Sequence, residues 1–133
     1  MTAITEASGR LLTEEGFRSL PYKDTRGHTT LGYGFNVDAG ISQYSAQVLL
    51  MAQLTELDTA MQKFAWYAVA DDVRKSVFLD IAFNGGLHGL LNFPHMLAAA
   101  MRGDWETAAK ECTVTEPELA GRYAMLAALL RTG

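Results

Sequence analysis

Apolar positions recur at helical spacing over most of the chain, and one short stretch near the start breaks the pattern. Ile4, Ala7 and Leu11 fall at i, i+3 and i+7, and Gly16 supplies a stop, so the spacing predicts a helix over residues 3 to 15 with Glu15 in its last turn. Residues 17 to 36 change character: Gly27, Gly32 and Gly34 punctuate a run rich in Thr, Tyr and Phe, the pattern of a small antiparallel sheet with tight turns. From Ser42 to about Phe64, Leu50, Leu54, Leu57, Met61 and Phe64 recur at steps of four and three between polar residues, which predicts a long amphipathic helix. A further helix, about residues 72 to 83, carries Val73, Val77, Phe78, Ile81 and Ala82 on a wide apolar face and should end at Gly85–Gly86. Pro94 opens a short helix ending before Gly103, and Asp104 caps another over residues 105 to 112. Thr115 and Glu118 suggest a capping box around Pro117, opening a last helix whose Leu119, Tyr123, Leu126 and Leu130 share one face. The sum is an α+β protein, mostly helical, with a small β-hairpin region.

Composition narrows the class without naming a chemistry. At 133 residues, with 49% hydrophobic and 20% charged residues, the chain fits one compact domain or two tightly joined lobes and disfavours disorder. Three scattered prolines and the lack of any repeat point to no linker. The net charge of −4 argues against a nucleic-acid partner. A single cysteine, Cys112, excludes an internal disulfide and any CxxC site, and is expected as a partly buried helical thiol without nucleophile context. The first residues lack the basic and apolar regions of a secretory signal, and no run of about 18 apolar residues suits a membrane span. His28, His88 and His95 lie in different elements without ligand spacing, so they are expected as surface or loop histidines, and no metal or other cofactor is expected. The GYG at residues 32 to 34 lacks the third glycine and following helix of a dinucleotide loop.

Residues 14 to 35, EEGFRSLPYKDTRGHTTLGYGF, hold the candidate chemistry. Glu15 closes a helix, Asp24 lies at a strand or turn, and Thr30 lies on the following strand, so a chain folding back through Gly16 and the hairpin brings two carboxylates and a hydroxyl to one rim. Glycosidases need such a set: one carboxylic acid protonates the leaving oxygen, and a second carboxylate activates water or attacks the sugar. The partial negative charge of a helix C-terminus favours the protonated form of Glu15, whereas Asp24 on a wet hairpin feels no such pressure. Taken alone, a Glu and an Asp at this separation are common, and most such pairs are solvated surface groups. The adjacent Glu14 illustrates how incidental a carboxylate can be.

The spacing of the neighbours adds weight. Glu15, Gly16, Tyr22, Asp24, Gly27, Thr30, Gly32 and Gly34 match, without a gap, a pattern of catalytic Glu-Gly, then Tyr-x-Asp, Gly, Thr and Gly-x-Gly. This stretch resembles the signature of the phage-type lysozymes, the glycoside hydrolase family of tailed-phage endolysins. The segment VRKSVFLDIAFNGG is similar to that family's central core helix, with Phe83, Asn84 and Gly85–Gly86 at its end. NFPHMLAAAMRGDWETAAKE and the closing ALLRTG resemble its later helices, so the resemblance covers most of the chain and is strongest from Glu15 to Gly34.

The resemblance implies a lysozyme-like domain over residues 1 to 133. It would have a hairpin lobe at about 14–42, a connecting helix at 43–64, and a helical lobe built from 1–13 and 65–133. It implies a muramidase that cleaves the β-1,4 bond between N-acetylmuramic acid and N-acetylglucosamine, with peptidoglycan glycan strands as partner. Glu15 would be the general acid, and Asp24 and Thr30 would hold the attacking water on the opposite face, giving inversion. An inverting pair is separated by about 6.5–9.5 Å. Tyr33, Gly34, Phe83 and Asn84 would line the saccharide site, and Tyr22, Asp80 and Arg122 would support it. Counting back from the closing RTG places Arg122 at the position of an Arg beside the family's catalytic Glu, opposing the helix-end effect on Glu15. Asp80 stands where an Asn is common; at i and i+4 it shares a face with Asn84 and is expected to pair with Arg122 or act on Glu15. Phe35 departs from the polar or His residue common after the Gly-x-Gly, and is expected to pack between hairpin and long helix. Such an endolysin would act as a monomer, gather in the host cytoplasm and reach the wall after holin-type release. The alternative is a non-catalytic peptidoglycan-binding or virion structural module that keeps the fold. Family members are commonly basic, so the net −4 removes long-range steering unless Arg18, Lys23 and Arg26 form a local basic patch.

Overall fold

The computed structural model describes residues 2–133. Its contacts group the chain into two compact units, Met1–Gln47 and Val48–Gly133. The first holds helix α1 (Ala3–Glu15) and strands β1 (Arg18–Lys23), β2 (Thr29–Gly32) and β3 (Phe35–Asn36), followed by a 3-10 turn, Val37–Ala39. Thr2 caps α1 by accepting a hydrogen bond from the Thr5 N–H at 3.1 Å, and Gly16, with φ 69°, ends it. The sheet is antiparallel in the order β1-β2-β3, with Tyr22 opposite Thr30, Lys23 opposite Thr29, and Thr30 opposite Asn36. The register shifts between Arg18, opposite Gly32, and Tyr22, opposite Thr30, so β1 spends two more residues than β2 over that stretch.

Helix α2 (Gln43–Met61) runs from the first unit into the second. The second unit continues with α3 (Ala65–Ala68), α4 (Asp72–Leu91), α5 (Pro94–Met101), α6 (Trp105–Glu111) and α7 (Ala120–Thr132). Among the described residues the buried apolar side chains all fall between Met61 and Leu130. Phe78 of α4 lies at their centre, edge-on to Trp66 with ring centroids 5.2 Å apart. The small residues Ala99, Ala100, Ala108 and Ala109 let α5 and α6 pack closely there. Arg74 ties the last helix down. Its Nε donates to the Leu130 carbonyl at 2.8 Å and its Nη2 to that of Arg131 at 3.2 Å, satisfying C-terminal carbonyls that have no partner within the helix. Its guanidinium also lies 4.4 Å from the centre of the Trp105 ring.

Several expectations change. The helix expected over residues 72 to 83 breaks at Gly86 (φ 75°, ψ 166°), as the glycine pair implies, but a second helical stretch follows it without a loop as far as Leu91. The Thr115–Glu118 capping box does not form: Pro117–Leu119 is a 3-10 turn capped without a side-chain hydrogen bond, and α7 starts only at Ala120. Phe35 is 64% exposed rather than packed under the long helix; its ring lies over Gly32 of its own hairpin. The apolar stripe of α1 stays open, with Ile4 and Leu11 exposed. Cys112 is buried just beyond α6, and burial pushes its thiol up to about 11, where it is inert at neutral pH. Among the described residues no helix is long and apolar enough to cross a membrane.

Candidate active site

Glu15 is the last residue of α1, and the turn at Gly16 carries the chain straight into β1. Its carboxylate rests on the backbone of Gly34 in the β2–β3 turn. A Cβ built on Gly34 would fall 2.6 Å from Glu15 Oε2, and Gly34 also has φ +77°. Glycine is therefore required at 34 twice over, for the left-handed backbone and for the close approach of the acid. The helix end and the sheet turn meet at this one contact.

Asp24 organises the turn between β1 and β2. Its Oδ1 accepts the Arg26 N–H at 2.9 Å and the His28 N–H at 2.8 Å, while its own N–H donates to the His28 carbonyl at 2.9 Å. The bond from the His28 N–H holds its carboxyl below the usual carboxylate range, with smaller help from the Arg26 N–H and the charges of His28 and Arg26, against a raising effect of partial desolvation. With Oδ1 occupied by two donors, Oδ2 faces the His28 ring, Nδ1 at 3.6 Å.

Thr30 lies on the central strand, 4% exposed. Its hydroxyl donates to the His28 carbonyl at 3.1 Å, the same oxygen that accepts the Asp24 N–H. One backbone carbonyl thus links Asp24 to Thr30. Because the Thr30 proton is spent on that carbonyl, its oxygen is left to accept a hydrogen bond. Tyr22, opposite Thr30, carries the Arg18 guanidinium 4.2 Å from its ring centre, and Tyr33, 37% exposed, packs on Phe17 at 5.7 Å between centroids.

Asp80, Phe83, Asn84 and Arg122 belong to the second unit. The structure brings three of them together: Arg122 Nε donates to Asp80 Oδ1 at 3.2 Å, its Nη2 pairs with the same oxygen, and Asn84 Nδ2 donates to it at 3.3 Å and to the Asp80 carbonyl at 2.9 Å. The i, i+4 spacing of Asp80 and Asn84 produces the shared face that it implies. Phe83 is 42% exposed beside them.

Two groups escape sequence reasoning. His28 was expected as a bystander, yet its N–H, its carbonyl and its ring all engage Asp24 or Thr30. Asp38 accepts the Thr29 N–H at 2.8 Å, which ties the 3-10 turn to the head of β2, and this bond lowers its carboxyl. The Asp-x-x-Gly of residues 24 to 27 is the one signal that could have pointed to the turn hydrogen bonds. Among the described residues no group of His, Cys, Asp and Glu side chains is arranged to hold a metal ion.

No curated protein matches the chain. The family model described as phage lysozyme matches residues 13–128, from the end of α1 almost to the end of α7, and so takes in the hairpin and the helical unit alike. With that match over most of its length, and with the α+β, lysozyme-like arrangement it presents, the chain belongs to the phage lysozyme family.

Proposed function

We propose that the chain is an inverting muramidase that hydrolyses the β-1,4 bond between N-acetylmuramic acid and N-acetylglucosamine in peptidoglycan. Glu15 protonates the leaving glycosidic oxygen as the bond to the anomeric carbon breaks. Water held by Asp24 and Thr30 attacks that carbon from the opposite face, and its proton passes to Asp24 Oδ2. After turnover, Asp24 returns its proton to solvent and Glu15 takes one back. The observation that carries this reading is the link through the His28 carbonyl: it joins Asp24 to Thr30 and consumes the Thr30 proton, leaving a carboxylate oxygen and a hydroxyl oxygen as two acceptors for one water.

The remaining candidates have roles that fit their settings. Gly34 gives Glu15 its seat, and Tyr22 braces Thr30 across the sheet. Within the first unit Tyr33 offers a half-exposed ring to the saccharide; within the second Asp80 orients Arg122 and Asn84 beside the exposed ring of Phe83. Action on the cell wall would follow release from the host cytoplasm. Incubation with purified peptidoglycan tests the reading, scoring turbidity, new reducing ends and the anomeric configuration of the first-formed product. Loss of turbidity with inverted product, abolished by Glu15→Gln, is the expected result. Binding without new reducing ends would overturn it in favour of a non-catalytic module.

A further inference from the structure

His28 is bound to the proposed water site by three separate groups. Its N–H donates to Asp24 Oδ1 at 2.8 Å, and its carbonyl accepts from both the Asp24 N–H and the Thr30 hydroxyl. Those bonds fix the backbone of the turn, and with it the root of the imidazole. The ring then lies with Nδ1 3.6 Å from Asp24 Oδ2, the carboxylate oxygen not already holding two N–H donors. The ring is 46% exposed.

We propose that His28 is a positioning residue for hydrolysis: when protonated it draws Asp24 Oδ2 into an ion pair and away from the water, and when neutral it releases that oxygen to the water. The inference rests on Asp24 holding the water, as proposed above. Imidazole as a side-chain type exists in charged and neutral forms near neutrality, so a pH series reads out the pair. A cation on Oδ2 acts twice, by occupying the lone pairs that water needs and by weakening the carboxylate as a proton acceptor. The charged groups around the ring come from each neighbouring segment. Asp24 and Arg26 lie in the turn, Lys23 ends β1, and Asp38 sits in the 3-10 turn. Lys23 is engaged with the Thr29 hydroxyl at 2.6 Å and Asp38 with the Thr29 N–H at 2.8 Å; Asp38 also feels the charge of His28, but Asp24 is the carboxylate that lies 3.6 Å from the ring nitrogen. Because the pair is partly solvated, its effect is small: about two- to fivefold in rate, in line with exposed ion pairs.

Two readouts test it. Carboxyl-carbon NMR of Asp24 between about pH 4.5 and 8 should show a step that follows the ring resonances of His28 in the wild type and vanishes in His28→Gln. This needs no substrate and no turnover, so it stands or falls apart from the muramidase reading. In kinetics on peptidoglycan, the wild-type ratio of kcat at pH 7 to kcat at pH 5 should exceed that of His28→Gln by about two- to fivefold, with KM unmoved by the substitution. His28→Lys, which keeps a cation at every pH in this range, should hold kcat low throughout. An Asp24 signal without the His28 step, or an active enzyme whose acid-side fall persists unchanged in His28→Gln, would overturn the role of His28. A wild type that shows the NMR step but no hydrolysis would instead overturn the muramidase reading.

Discussion

Each of the two units of this chain has its own kind of internal cohesion. In the second, apolar side chains from Met61 to Leu130 are withdrawn from water, with aromatic rings around Phe78 and alanines where α5 and α6 meet. In the first, Thr30 is the one side chain among the described residues that is buried, and the hairpin is pinned by polar bonds: Asp24 to two backbone N–H groups, Asp38 to a third, Thr30 to a carbonyl. Burial of a large side chain contributes about 1.5–3 kcal/mol, whereas a typical hydrogen bond contributes about 0.5–1.5 kcal/mol net. The comparison suggests a division of labour, in which the helical unit supplies stability and the hairpin spends its polar groups on setting the geometry of the proposed acid and water site.

The largest effects should fall on opposite observables in the two units. Phe78→Ala removes a fully buried ring and should lower stability by about 3–5 kcal/mol, seen as a fall in denaturation midpoint. Glu15→Gln should lower kcat by about 10²–10⁴-fold, roughly 3–5 kcal/mol of barrier, while leaving the melting temperature unmoved. If Glu15→Gln unfolded the protein as readily as Phe78→Ala, the division would be wrong.

A smaller effect is expected at Gly34→Ala. The left-handed backbone costs about 1–2 kcal/mol for an L-residue, and the new methyl group must push the Glu15 carboxylate off its seat. A drop in kcat of about tenfold, corresponding to 1.36 kcal/mol, with a lesser change in KM would show that the contact positions the acid.

Asp24→Asn separates the turn from the proposed chemistry. The amide oxygen can still accept the Arg26 and His28 N–H groups, so the hairpin should survive at neutral pH while kcat falls sharply. The pH dependence has a definite sign. Asp24 has its folded-state acidity below the ordinary carboxylate value of about 3.9, so its contribution to stability is present above that value and is lost as pH falls through the lower folded one. The melting-temperature gap between wild type and Asp24→Asn should therefore shrink below about pH 4, and in a His28→Gln background, which lacks the ring beside Asp24, it should stay constant above that pH.

The smallest change is expected at Asp80→Asn. The Asp80–Arg122 pair is partly exposed, and such pairs contribute at most about 1 kcal/mol, so the fold should barely respond. Activity measured against pH decides whether the charge matters: a profile superimposable on wild type would restrict Asp80 to holding Arg122 and Asn84 in place, and a shifted one would give its charge a further role.

The chain's local structure was largely readable. Helix α1 has the bounds that its periodicity and Gly16 imply, and α5 and α6 begin where Pro94 and Asp104 place them, because caps and stops act within a few residues. The misreadings share a cause. Gly85–Gly86 breaks the helical backbone as a terminator should, but the letters do not show that a second helical stretch, with Leu90 buried, follows at once. Thr115 and Glu118 have capping-box spacing, but Pro117 favours a 3-10 turn there and α7 starts later. Phe35 and the stripe of α1 are apolar in sequence and exposed in the structure, since periodicity says which residues share a face and not what covers it.

Read alone, the sequence determined the order and kind of the elements, the Glu15–Asp24–Thr30 spacing that marks the resemblance, and the acidic balance of the chain. These depend on residue identity and on neighbours a turn or two away. Only the tertiary structure decided that Gly34 seats Glu15, that Asp80 takes Arg122 across 42 positions, and that the carbonyl of His28 ties Asp24 to Thr30. Backbone carbonyls and N–H groups are the same at every residue. Which of them a side chain meets is therefore fixed by how the chain folds back on itself, and no spacing of letters records it.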